Sequence, residues 1–99
     1  MQRLEVGKLY SCSGYYLMLY PDKETAVFAG ELGADLVAAN AAADAAYWSK
    51  RFDKHVSYCN TETPLLVLNT KGEYIEVLAG DKRGWIIYQG WLELKEIYA

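Results

Sequence analysis

PLLVLNTKGEYIEVLA, residues 64 to 79, decides the fold. Two apolar or alternating runs, Leu65–Asn69 and Glu73–Ala79, flank Thr70-Lys71-Gly72, which reads as a hairpin turn with Gly72 at positive φ. Toward the C-terminus, Ala79-Gly80-Asp81-Lys82 forms the next turn and Trp85–Gln89 a strand. Gln89-Gly90-Trp91 turns tightly into a last strand, Leu92–Ile97, where Leu92 and Leu94 alternate with Glu93 and Lys95. The repeated pairs Gly84-Trp85 and Gly90-Trp91 read as corner devices, with glycine allowing a sharp bend and the residues after it sealing the interior. Four short strands so closely spaced imply a small, curved barrel. Its expected core is Val67, Ile75, Val77, Trp85, Ile87 and Leu94.

Toward the N-terminus, Val6–Tyr10 leads through Ser11–Gly14 into Tyr15–Tyr20, a first hairpin that Pro21-Asp22 ends. Between residues 34 and 56 the period turns helical: Val37, Ala41, Ala45, Trp48, Phe52 and Val56 share one stripe, and most charges lie off it. This predicts an amphipathic helix inserted after the first strands. Gly30 and Gly33 weigh against helix upstream of Ala34.

Ninety-nine residues suffice for one domain with one modest core. A net charge of −3 argues against bulk electrostatic coating of nucleic acid and leaves room only for a local basic rim. The polar start Gln2, Arg3, Glu5 shows no signal peptide, and Leu36–Ala43 is too short to span a bilayer, so the expectation is a cytoplasmic protein with no membrane partner. Cys12, Cys59 and the single His55 lack metal-ligand spacing, so two unpaired thiols and no cofactor are expected. No nucleophile stands at telling distance from a base, and Glu73, Glu76 and Asp81 read as outward charges, which argues against an enzyme.

Three stretches carry a family resemblance: VGKLYSCSGYYLMLYPDKETA (6–26), AAYWSKRFDKHVSY (45–58) and GDKRGWIIYQGWLELKEI (80–97). With the strand order read above they resemble the Sm-like proteins, small SH3-like barrels, in the short form found in marine cyanophages. The resemblance implies a mainly β, five-stranded SH3-like or Sm-like barrel over residues 1–99, with the helical insertion at about 34–56. It further implies a phage-encoded protein that forms a homo-oligomeric ring and binds RNA or single-stranded DNA. Arg83-Gly84 matches the family's Arg-Gly loop, whereas no Asp-x-x-Asn pattern surrounds Asn69.

The residues that would touch nucleic acid are Arg83, able to pair with phosphate or stack on a base, Lys71 and Lys82 at the two turns, and the π faces of Tyr74 and Trp85. On this reading both lysines add charge at one end of the barrel. The alternative is an SH3-like interaction or phage-assembly module whose turns are merely solvated. Apolar residues on both faces of 15–20 and 65–68 favour a subunit partner, because a barrel has one interior.

Overall fold

Alternation sets the strands. Tyr74–Ala79 buries Ile75, Val77 and Ala79 and leaves Tyr74, Glu76 and Leu78 half-buried on the other face. A computed structural model describes residues 3–12, 16–32, 40–60, 63–88 and 94–97. In chain order these form β1 (Leu9–Cys12), β2 (Leu17–Leu19), α1 (Lys23–Glu31), α2 (Ala41–Phe52), β3 (Ser57–Cys59), β4 (Leu65–Lys71), β5 (Tyr74–Ala79), β6 (Lys82–Ile87) and β7 (Leu94–Glu96). The fold is mainly β: an antiparallel five-stranded sheet, β6-β5-β4-β1-β7, and a two-stranded sheet, β2-β3. Among the described residues both sheets are open, and no closed barrel is shown.

The expected meander is present as β4, β5 and β6, with Gly72 (φ 64) and Gly80 (φ 65) in its two turns. Val67 and Asn69 straddle a bulge in β4. The third strand starts earlier than expected, at Lys82, so Gly84 lies inside it opposite Val77 instead of at a corner. The expected Gly90 turn and residues 34–39 of the expected helix lie outside the described residues.

The expected first hairpin does not form. β1, which includes Ser11 and Cys12 of the expected turn, pairs with β4 and β7, while β2 pairs with β3, so the two strands belong to different sheets. Sequence adjacency favoured the wrong partner, because a short apolar strand carries no mark of which edge it joins.

Among the described residues, the excursion between β1 and β4 also holds two helices instead of one. Asp22 caps α1 by accepting from the Thr25 amide and hydroxyl, both at 2.7 Å. Asn40 caps α2 through the Ala43 amide, and Asp53 ends α2 in the left-handed region (φ 53). The predicted stripe on α2 holds: Ala41, Ala45 and the following Val56 are buried, with Trp48 and Phe52 packed beside them. Ser49 fixes the exit from α2, its hydroxyl donating to the Ala45 carbonyl and accepting from the Val56 amide.

Two cores result. The first lies between the sheets, where Leu17, Leu19 and Cys59 meet Tyr10, Leu65, Val67, Ile75, Val77, Ile86 and Leu94. The second lies under the helices, where Met18, Tyr20, Ala26, Ala29, Ala45 and Ile87 pack together. Of the six residues expected to share one core, Val67, Ile75, Val77 and Leu94 do, whereas Ile87 and Trp85 face the helices. The period of two explains this, since Ile87 and Trp85 pair with Tyr74 and Glu76 on the opposite face from Ile75 and Val77.

Candidate nucleic-acid interface

Lys82, the first residue of β6, is exposed and reaches across to β3. Its ammonium donates to the Tyr58 carbonyl at 3.1 Å and stands 5.1 Å from the centre of the Tyr58 ring, within cation–π range. That ring meets Tyr16 edge-on, with 6.2 Å between centroids, and Tyr16 is exposed. Neighbouring Arg83 points to the other face of β6, where its Nε donates to a Glu76 carboxylate oxygen at 2.9 Å. The pair is solvent-screened on the Arg83 side, so it orients the guanidinium more than it stabilises the fold.

The five expected contact residues do not converge. Lys71 and Tyr74 flank the β4-β5 turn, while Lys82 and Arg83 follow the β5-β6 turn. β5 separates the two turns by about 17 Å, so the lysines charge opposite ends of the sheet. Tyr74 is half-buried against the second core, its hydroxyl directed at α1, where a Cβ on Gly30 would stand 3.5 Å away. Trp85 packs against the same core, and its backbone exchanges two hydrogen bonds with Tyr20, 2.8 and 2.9 Å, which join β2 to β6.

What the structure brings to Lys82 instead is Tyr58 and Tyr16. The alternation in YYLMLY already put Tyr16 on one face of a strand, but nothing local links Tyr58 to a residue 24 positions away.

Gly84 makes this assembly possible. A Cβ there would stand 2.8 Å from Leu19 Cβ and 3.1 Å from the Tyr20 carbonyl oxygen, so β2 crosses β6 where a side chain is absent. The crossing seats β3, and with it Tyr58, beside the start of β6.

The titratable groups with a clear shift lie elsewhere and serve the fold. Hydrogen bonds that the Lys8 ammonium donates to Glu5 and then to Glu96 hold it in its charged form, tying the entry to β1 to β7. Burial, and then the nearby Tyr10, pushes the Tyr88 hydroxyl up. Cys59 is buried and in no disulfide, and among the described residues no group of three or more His, Cys, Asp or Glu is placed to hold a metal. Among those residues, no helix is long and apolar enough to cross a membrane. Compared with protein-family models, curated proteins and solved structures, the chain matches none of them.

Proposed function

We propose that this chain is a non-enzymatic binding module of SH3-like, Sm-like build that engages RNA or single-stranded DNA at the start of β6. The observation that carries the reading is the Lys82 ammonium held over Tyr58, itself edge-on to an exposed Tyr16, with Arg83 next along the strand on its other face. Cations beside open aromatic rings are what a single strand needs, since phosphates pair with the charges and any base can stack on a ring. The strand order supports the barrel reading, in that a three-strand meander is followed at one side by the first and last strands. Lys71 and Tyr74 lie too far away to serve the same contact. Assembly into a ring, in a phage-encoded protein acting in the host cytoplasm, belongs to the same proposal.

Titration of fluorescent single-stranded RNA and DNA at two salt concentrations tests it. Binding weakens as salt rises, and the double substitution Lys82→Ala/Arg83→Ala costs about 1–3 kcal/mol of affinity with the fold intact. No salt-dependent binding by the unaltered protein overturns the reading.

A second reading, a protein-interaction module, is favoured by a row of apolar side chains across the outer face of the large sheet. Ile97 lies beside Leu9, Leu9 opposite Leu66, and Leu66 opposite Leu78, with Leu9 and Ile97 exposed.

A further inference from the structure

An open groove of about 440 Å³ runs between α1 and the end of α2, away from β6. Its apolar wall is Phe28 on α1 and Leu32 at the C-cap one turn on, facing Phe52, which stacks on Trp48 with 5.4 Å between ring centroids. Phe28 is 59% exposed and Leu32 50%, a large apolar surface for a described molecule whose other phenylalanine is half-buried. The polar rim is Glu24, Arg51 and Lys54. Lys54 is already engaged by Asp22 at 2.9 Å, and the Glu24 carboxylate adds to the field that keeps its ammonium charged. Arg51 enters no ion pair among the described residues, so the rim keeps an unspent guanidinium beside an apolar wall.

We propose that this groove binds an amphipathic carboxylate, a ligand with an apolar chain or ring and one carboxylate group. Its apolar body lies against Phe28, Leu32 and Phe52, and its carboxylate accepts forked hydrogen bonds from Arg51. The volume falls in the range of small-ligand sites, and the open side leaves part of the ligand wet, which keeps binding weak. The site shares no residue with the Lys82 corner and is independent of nucleic-acid binding.

The test is an NMR titration of the labelled full chain with decanoate below its micellar concentration, against decanol and decylammonium. Decanoate produces saturable amide shifts confined to residues 23–32 and 48–54, and binds more tightly than either analogue. Arg51→Gln raises the Kd about fivefold with an otherwise native spectrum, and Phe28→Ser abolishes saturation. Should Phe28→Ser disturb the fold, Arg51→Gln still decides, because Arg51 is exposed. Equal affinity for decylammonium, an unchanged Kd in Arg51→Gln, or shifts centred on β2 and β6 overturns the proposal. Groove shifts that grow with protein concentration without decanoate also overturn it, since a second copy then covers the face.

Discussion

Gly84 sits in extended strand backbone, so what it supplies is room rather than conformational freedom. Both clashes a methyl group would make, with Leu19 Cβ and the Tyr20 carbonyl, are with groups close to or on the backbone, and neither can swing away. Gly84→Ala is therefore expected to cost about 1–3 kcal/mol, read as a lower urea midpoint with an unchanged slope. Adding Leu19→Ala does not restore stability, because alanine keeps the clashing Cβ and the Tyr20 carbonyl stays where it is. The sequence marks this glycine but not its purpose: Gly-Trp reads equally as a bend or as a close approach, and only the crossing strand distinguishes them. The same limit applies to the site, where Lys82 and Arg83 are visible as a basic pair but Tyr58 reaches them only through tertiary structure.

Among the elements, α1 shows how a helix escapes pattern reading. Its buried residues are Thr25, Ala26 and Ala29, too small to write a strong apolar stripe, and its largest apolar side chain, Phe28, faces outward. Gly30 reads as a breaker, yet lies inside the helix beside Tyr74 and Ile87, and β3 is only three residues long. By contrast β5 alternates cleanly and α2 carries aromatic residues at helical spacing, so both are legible. The signal that does mark α1 is Asp22. Burial raises its carboxyl, but hydrogen bonds from Lys54 and Thr25 outweigh that and hold it below the usual carboxylate range. A depressed folded value means the cap's contribution is full above the unfolded value of about 4 and is lost as pH falls through the folded one. Asp22→Ala is expected to cost about 1 kcal/mol at neutral pH. In urea melts, the gap between wild type and Asp22→Ala closes as pH drops below about 4, and a gap constant down to pH 2 would refute the role.

For the molecule as a whole, strand content and the β4-β5-β6 meander were within reach of alternation and turn chemistry, while the partners of β1 and β2 were not. Pairing across the excursion leaves no local trace, so the sequence suggested a hairpin where the chain builds two sheets. The apolar row Ile97, Leu9, Leu66 and Leu78 is likewise a product of register. With Leu9 and Ile97 exposed in that row, light scattering at micromolar concentration is expected to report a mass several times that of the 11.2 kDa chain, and a monomer would remove the ring. The place of β1 between β4 and β7 also constrains how the protein is made. A ribosome releases β1 early, yet its first hydrogen-bonding partner is encoded about 50 codons later, a wait of roughly 3–10 s at ordinary synthesis speeds. During that interval Tyr10 and its neighbours leave the ribosome without their sheet, and the nascent chain depends on whatever holds them apart from other nascent chains until β4 arrives.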